Sequence, residues 1–167
     1  MSKLIIIRHA KSDWSGNVND LQRGLNKRGY NSCRVISKEL KKRINKPDLF
    51  LISPALRAKL TYENIFLNWD DKDNNLFVEE DLYFASVEQI KKKLTSKVFG
   101  FSTVVIIGHN PILNLLMYEL TTKGHNKLPT NLVTCGVVMI EYSENNFKTP
   151  DFTNGEVVDY FFPRMYM

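Results

Sequence analysis

The stretch LIIIRHAKSDW, residues 4–14, places four apolar residues directly before Arg8 and His9. A short continuous apolar run of this kind is typical of a strand that is buried on both faces of a sheet. A cation and an imidazole are unfavourable at the end of such a strand unless something there interacts with them. We therefore expect a functional site where this strand ends.

The composition is that of a globular protein with one domain, 1–167, and a hydrophobic core. The chain has 167 residues, of which 43% are hydrophobic and 25% charged. The net charge of +5 permits an anionic partner, but much of the excess lies in KELKKRINK (38–46), at a predicted helix end where cations suit the helix dipole. No recognised nucleic-acid motif accompanies this run, so we expect no nucleic-acid partner.

The cysteines and the N-terminus predict a cytoplasmic location. Cys33 and Cys135 are the two cysteines of the chain, and neither belongs to a CxxC pair. This pattern argues against a disulfide framework or a zinc site and favours a reducing compartment. The first apolar run is too short for a signal peptide or a membrane span, so no membrane association is expected.

The rest of the sequence alternates predicted strands and helices. Together these predict an α/β three-layer sandwich, in which a mostly parallel central sheet carries helices on both faces. WDDKDNN (69–75) is predicted to be a surface loop. The predicted strands are 4–7, 49–52, 76–80, 103–107, 132–142 and 156–162, and the predicted helices are 27–44, 56–68, 86–97 and one that Asn110 caps, with Pro111 as its first residue and Gly124 beyond its end.

Polar residues follow three of the buried strands at the point where each ends. Arg8 and His9 follow the first strand, SPALR (53–57) the second, and GHN (108–110) the strand 103–107. Ligands of open α/β sheets bind just beyond the carboxyl ends of the strands. The sequence thus predicts that Arg8, His9, Arg57 and His109 meet at one edge of the sheet.

Two arginines and two histidines at one site indicate phosphoryl chemistry. Guanidinium groups match two phosphoryl oxygens and can neutralise a tetrahedral dianion without a metal, so no metal or other cofactor is expected. A neutral imidazole is a nucleophile towards phosphorus when a carbonyl holds its other nitrogen. A second imidazole, if protonated, would donate to the equatorial oxygens.

RHAKSDW, SPALRAKLTYENI and GHNP, in this order, resemble the histidine phosphatase (phosphoglycerate mutase-like) superfamily. Together with LNKRG and LYFAS, they are most similar to its SixA-type phosphohistidine phosphatases. The resemblance implies that His9 is the nucleophile that becomes phosphorylated. It also implies that Arg8, Arg57 and His109 bind the phosphoryl group.

The sequence departs from the family pattern at two places. Lys59-Leu60-Thr61-Tyr62 stands where the family usually has Gln-Thr-Ala after SPALRA, and Arg23-Gly24-Leu25 stands where this subgroup tends to have Arg-Pro-Leu. Arg23 is therefore a candidate phosphate ligand, with a surface salt bridge as the alternative.

The sequence does not decide which of three residues is the general acid, or whether the site uses one at all. Glu79, Glu80 and Asp81 lie in EEDLYFAS, and the spacing from Leu82 favours Glu80. The alternative is that all three are solvated acids in a loop. A phosphoramidate can dispense with a strong acid, because its imidazole nitrogen can be protonated before it leaves.

These features favour a metal-independent phosphatase that acts on phosphohistidine in a phosphorylated protein, either a phosphotransfer domain or a phosphocarrier. The resemblance implies that bulkier members of the superfamily carry insertions that cover the site, and a chain of this length leaves little room for one, so an open pocket that suits a protein substrate is expected. The alternatives are a broad-specificity phosphomonoesterase acting on small phosphorylated molecules and a phosphate-binding module without turnover.

Overall fold

Seven strands form one sheet in a computed structural model that describes residues 1–69, 75–145, 147–148 and 153–167. Most of the predicted loop WDDKDNN, at 70–74, lies outside these residues. The strands are β1 (Ser2–Arg8), β2 (Leu49–Ile52), β3 (Asn75–Val78), β4 (Thr103–Gly108), β5 (Thr121–Lys123), β6 (Val137–Tyr142) and β7 (Gly155–Phe161). The α-helices are α1 (Lys27–Lys41), α2 (Leu56–Phe66), α3 (Asp81–Phe84), α4 (Val87–Lys97) and α5 (Ile112–Glu119).

The sheet is mixed and mostly parallel. Its strand order is β3-β2-β4-β1-β6-β7-β5. Of the six pairings between described strands, only β1 with β6 and β6 with β7 are antiparallel. This arrangement confirms the predicted α/β fold with a mostly parallel sheet.

The first strand is buried on both faces, as its apolar run predicts. Leu4 and Ile6 pack in one core cluster with side chains of α4 and α5, whereas Ile5 and Ile7 pack in a second cluster with side chains of α1 and α2. All four side chains are fully buried. The alternation of side chains along a strand thus divides the core into two layers, one on each face of the sheet.

The register of the parallel strands brings their carboxyl ends together. Arg8 pairs with Gly108 across β1 and β4, and Ile52 pairs with Ile107 across β2 and β4. Beyond these pairs, the backbone N–H of His9 donates to Gly108, and that of Ser53 donates to Ile107, both at 3.0 Å. The three polar segments therefore begin at one level of one sheet edge.

Several predicted helix ends differ from the structure, and one of them is the end of α2, which lies at Phe66 and not at 68. The first helix ends at Lys41 and not at 44, although Ile44 is still buried, which explains why the apolar periodicity included it. The last predicted helix begins at Ile112, and Asn110 does not cap it. The amide of Asn110 instead donates to the carbonyl of Leu132 at 2.8 Å.

The predicted strand over 132–142 is shorter in the structure, where β6 spans Val137–Tyr142. Cys135 has a φ of 59°, which a strand does not accommodate. Its backbone N–H donates to the carbonyls of Arg8 and His9 at 3.0 and 3.1 Å. The segment before β6 therefore turns to hold the end of β1. Helix α3 and strand β5, of four and three residues, are too short to give a sequence pattern.

Among the described residues, none of the helices combines the length and the apolar character needed to cross a membrane.

We predict that Gly29→Ala destabilises the fold, because a Cβ on Gly29 of α1 would overlap the carbonyl oxygen of Lys11. Glycine to alanine inside an exposed helix normally stabilises by about 1 kcal/mol. Here we expect a loss of about 2 kcal/mol in the free energy of unfolding, as for an overpacked core. Urea unfolding measures it, with Gly16→Ala as the control, since no atom lies within 4 Å of a Cβ there. A gain in stability at Gly29 would contradict the close approach.

Candidate active site

A pocket of about 330 Å³ opens where the three polar segments meet. It contains the four residues that the strand ends predict, together with Arg23. Its described lining is Arg8, His9, Arg23, Arg57 and His109, joined by Lys11, Ser12, Trp14, Asn110 and Thr134. No Asp or Glu is among these lining residues.

His9 is held in one tautomer by the backbone. Its Nδ1 lies 2.8 Å from the carbonyl oxygen of Ala10, which can only accept a hydrogen bond. We therefore assign the ring hydrogen to Nδ1, and Nε2 carries the free lone pair. The His9 residue is 8% exposed, so the ring has little room to turn.

Ala10, whose carbonyl binds His9, is itself bound to helix α2 through its N–H. The N–H of Ala10 donates to Oγ1 of Thr61 at 2.9 Å, and the Thr61 hydroxyl donates to the carbonyl of Arg57 at 2.7 Å. The sequence analysis treated Thr61 only as part of a departure from the family pattern. The structure gives it a role, because it links the end of β1 to the helix that carries Arg57.

His109 lies beside His9, with 5.0 Å between the ring centroids. Its Nε2 is 2.6 Å from Oγ of Ser53, which also accepts from the N–H of Ala55 at 3.3 Å. We assign the Ser53 hydroxyl as the donor to Nε2. This leaves Nδ1 of His109 with the ring hydrogen, as a donor within the pocket.

Unpaired polar atoms are concentrated at this pocket. Four buried side-chain polar atoms have no hydrogen-bond partner in the described part of the chain, and all belong to pocket residues: Nε of Arg8, Nε of Arg57, Nδ1 of His109 and Oδ1 of Asn110. Unsatisfied buried groups are unfavourable, and native proteins tolerate few of them outside functional positions. Three of these four atoms can donate, which suits an oxyanion.

Both pocket histidines are neutral at pH 7. Burial, together with the charges of Arg57 and Arg8, lowers the pKa of His9 to about 4, against the raising effect of the hydrogen bond to Ala10. Burial, and then the neighbouring His9 and Arg57, lowers the pKa of His109 to about 3. A protonated His109 was the expected donor to the phosphoryl oxygens, whereas the free pocket holds a neutral ring that donates through Nδ1.

Arg23 lies in the pocket and also forms an ion pair, so its role as a phosphate ligand stays a prediction. Its Nη1 donates to the Ser12 hydroxyl at 2.8 Å, and its guanidinium carbon lies 3.5 Å from the centre of the Trp14 ring. Its Nη2 pairs with Oδ1 of Asp20 at 2.8 Å. The guanidinium is thus fixed on three sides.

Asp20 is the pocket-edge residue that the sequence analysis missed. Its Oδ2 accepts from Nη2 of Arg57 at 3.0 Å and from the hydroxyl of Tyr83, while its backbone carbonyl accepts from Nη1 of Arg57 at 2.7 Å. The Tyr83 hydrogen bond, and then Arg57, lower the pKa of Asp20 to about 2 against the opposing effect of burial. The one available signal was an acid three residues before Arg23.

The acids of EEDLYFAS do not line the pocket. Glu79 is buried and pairs with Lys93 and Lys97, each at 3.3 Å, and Asp81 pairs with Lys93 at 3.6 Å. Glu80 is exposed at the residue before α3. Its role as general acid therefore stays a prediction. Within the described ranges, no group of three or more His, Cys, Asp or Glu residues is placed to hold a metal ion.

Solved structures share this fold. A protein histidine phosphatase SixA complexed with tungstate is 21% identical, with a TM-score of 0.82 over 99% of each chain. A candidate phosphohistidine phosphatase SixA from Agrobacterium tumefaciens is 22% identical, with a TM-score of 0.79 over 97% of this chain and 99% of its own. An alpha-ribazole phosphatase from Shigella flexneri is 14% identical, with a TM-score of 0.68 over 94% and 95% of the two chains.

The structural neighbours are therefore SixA phosphohistidine phosphatases and other proteins of the histidine phosphatase superfamily. At these identities the likeness establishes the fold, which is phosphoglycerate mutase-like, and these neighbours include the SixA proteins that the sequence motifs resemble. No family model matches the sequence, and no curated protein matches it.

We predict that stability falls as the pH drops from 7 to 5. In the unfolded chain His9 titrates near 6.5, whereas in the folded chain its pKa is about 4. The unfolded state therefore binds more protons across this window, and the stabilisation present at pH 7 is progressively lost. We expect His9→Asn to reduce this loss by about 1.5 kcal/mol. Urea unfolding at pH 7, 6 and 5 measures it, and equal losses in the two proteins would contradict the low pKa.

We also predict that Asp20 positions the pocket arginines. Asp20→Ala should weaken the binding of inorganic phosphate about tenfold, or ~1.4 kcal/mol, because Arg23 and Arg57 lose their common acceptor. Asp20→Asn keeps an acceptor oxygen and removes only the charge, so its phosphate affinity should equal or exceed that of the wild type. Titration calorimetry measures both. Tighter phosphate binding in Asp20→Ala would mean that the carboxylate only competes with the ligand.

Proposed function

We propose that this chain is a metal-independent phosphatase that removes phosphate from phosphohistidine in a protein, by way of a phosphorylated His9. The observation that carries the proposal is the free Nε2 of a neutral, oriented His9 in a pocket that also contains the guanidinium groups of Arg8, Arg23 and Arg57. The tungstate complex of a SixA protein with this fold supports it, because tungstate is a tetrahedral oxyanion like phosphate.

In the first step, the lone pair on Nε2 of His9 attacks the phosphorus of the substrate. A new P–N bond forms while the bond from phosphorus to the substrate imidazole breaks, and its electron pair returns to the departing nitrogen. Charge on the phosphoryl oxygens is stabilised by the arginines and by Nδ1–H of His109. The Ala10 carbonyl stabilises the positive charge that develops on the His9 ring.

In the second step, water attacks the phosphorus of phospho-His9. An O–P bond forms, the P–N bond breaks, and its electron pair returns to Nε2, so that His9 is restored. One proton of the water stays on the phosphate product, and the other passes to solvent. The arginines hold the same three oxygens in both steps, which is why one pocket can serve both.

Phosphoramidates and phosphate esters differ in whether their leaving group needs a proton from the enzyme. No carboxyl group lines the pocket among the described residues, and Asp20 at its edge is ionised, with a pKa of about 2. An imidazole can leave without a general acid because it can itself be protonated, whereas an alkoxide needs a proton donor. This difference favours phosphohistidine over alkyl phosphates. An ester-cleaving activity would need an acid such as Glu80.

Exposed aromatic side chains near the pocket support a protein substrate. Trp14, which lines the pocket, is 74% exposed. Phe84 is 81% exposed, and its ring lies 4.1 Å from that of Tyr83, which contacts His109. Exposed aromatic groups are enriched where proteins bind proteins. The second candidate is a small-molecule phosphomonoesterase, and structural neighbours such as an alpha-ribazole phosphatase favour it.

The test uses purified protein in EDTA with three substrates: a histidine-phosphorylated carrier protein, para-nitrophenyl phosphate and β-glycerol phosphate. We expect the carrier to be dephosphorylated, the nitrophenyl ester to be cleaved slowly, and the alkyl ester to be left intact. His9→Ala should lower the rate on the carrier by at least ~1,000-fold, since the nucleophile is lost. Trapping of ³²P on His9 identifies the intermediate.

Each alternative has its own outcome. Rapid cleavage of β-glycerol phosphate that Glu80→Gln abolishes, with the carrier untouched, would replace the proposal with a small-molecule phosphomonoesterase. A protein that binds phosphate but turns over none of the three substrates would be a binding module. Activity that appears only when a divalent metal is restored would contradict metal independence.

A further inference from the structure

A second cavity, of about 390 Å³, lies beside the catalytic pocket. Lys11 and Thr134 line both, so the two spaces are neighbours. We call it the basic cavity and define it by its three cations, Lys11, Arg28 and Arg164, and its apolar side chains, Val133, Phe162 and Met167. The mechanism above makes no use of it.

The three cations of the basic cavity form no ion pair with the described residues. No Asp or Glu side chain lines the cavity, and none of the three cations forms an ion pair with a carboxylate of the described residues. Elsewhere, by contrast, Arg43 pairs with both Glu39 and Asp159. Three like charges around one concave surface produce a positive potential that attracts anions.

The walls of the basic cavity are fixed before any ligand arrives. The carbonyl of Lys11 accepts from the N–H of Asn26 at 3.0 Å and lies against Gly29 of α1. The Tyr166 hydroxyl accepts from Nη2 of Arg43 at 2.8 Å, which fastens the 3-10 turn Pro163–Tyr166 to the segment just after α1. A cavity with fixed walls does not have to be ordered when a ligand binds.

The size and lining indicate more than a single anion. A cavity of about 390 Å³ is within the range that holds multi-atom ligands and exceeds what one phosphate needs. Val133 and Met167 are exposed, at 38% and 69%, next to the charged groups. Apolar and cationic groups side by side suit a polypeptide that presents both acidic and apolar side chains.

We propose that the basic cavity binds an acidic segment of the substrate protein that flanks the phosphorylated histidine. This inference rests on the proposed function. With the phosphohistidine in the catalytic pocket, the polypeptide leaves past Lys11 and Thr134 and enters the neighbouring cavity. Carboxylates then contact Arg28 and Arg164, while an apolar side chain packs on Val133 and Phe162. The substrate class is thus a phosphohistidine protein with acidic residues close to the phosphorylated site.

The test compares two phosphohistidine peptides of equal length, with Glu or with Gln at the flanking positions, and free phosphohistidine, which does not extend beyond the catalytic pocket. The double variant Arg28→Glu/Arg164→Glu is compared with Lys92→Glu/Lys123→Glu, in which two exposed cations of α4 and β5 undergo the same change of charge. The milder Arg28→Gln/Arg164→Gln guards against loss of folding. Kinetics at two salt concentrations separate kcat from KM.

We expect the wild type to prefer the Glu peptide over the Gln peptide by at least tenfold in kcat/KM, through KM, and to lose this preference at high salt. The cavity variants should lose the preference and keep their rate on free phosphohistidine, and the control variant should keep both. Equal rates on the two peptides in the wild type would overturn the inference. So would a preference that the control variant also loses.

Failure of the proposed function would be recognised separately, because free phosphohistidine would then remain intact in the wild type. In that case fluorescence anisotropy with the unphosphorylated Glu peptide decides the question. Binding that Arg28→Glu/Arg164→Glu abolishes and Lys92→Glu/Lys123→Glu retains would keep the basic cavity as a site for acidic segments. Absence of binding to the wild type would eliminate it.

Discussion

The backbone of Ala10 is the constraint on which the rest of the site depends. Its carbonyl accepts from Nδ1 of His9, and its N–H donates to Thr61, whose hydroxyl donates in turn to the carbonyl of Arg57. The two peptide groups that flank the Ala10 Cα thus fix the tautomer of His9, the orientation of its ring and its position relative to the start of α2. A buried neutral imidazole without this acceptor could carry its hydrogen on either nitrogen. Only the tautomer with the hydrogen on Nδ1 has a lone pair on Nε2 for nucleophilic attack.

The charges around His9 follow from the same burial. Arg8, Arg23 and Arg57 surround two imidazoles, and a protonated imidazole among three guanidinium groups would be strongly unfavourable. Burial and these charges therefore keep both rings neutral at pH 7. Asp20 offsets part of the positive charge, yet it binds the arginines from the pocket edge and leaves Nε of Arg57 unpaired. The unpaired donors lower the stability of the folded protein, and they are available to form hydrogen bonds with an oxyanion.

The sequence could predict those features of the structure that follow from a hydrophobic periodicity or from a fixed rule of sheet geometry. The apolar run of β1 and the three- and four-residue spacing of α1 predict buried elements, and the rule for parallel strand ends predicts that Arg8, His9, Arg57 and His109 converge. Asp20 escaped because its contacts with Arg57 and Tyr83 join residues that are 37 and 63 positions apart in the chain. The turn at Cys135 escaped because a positive φ in a residue other than glycine has no reliable sequence signal. The basic cavity unites residues 11, 28 and 164, a combination that only tertiary packing creates.

The chemistry of the pocket leaves substrate choice to the surface around it. Under the proposed function, the site would bind a phosphoryl group through arginines and release an imidazole without an acid, so it would treat every phosphohistidine alike, because the reacting atoms are the same in each. Discrimination between proteins must then come from contacts that the phosphoryl group does not make. Trp14 and the basic cavity border the catalytic pocket and offer such contacts, one apolar and one cationic. Under the proposed function, binding energy gained there would lower KM for proteins that carry the matching segment and would leave the chemical step at His9 unchanged.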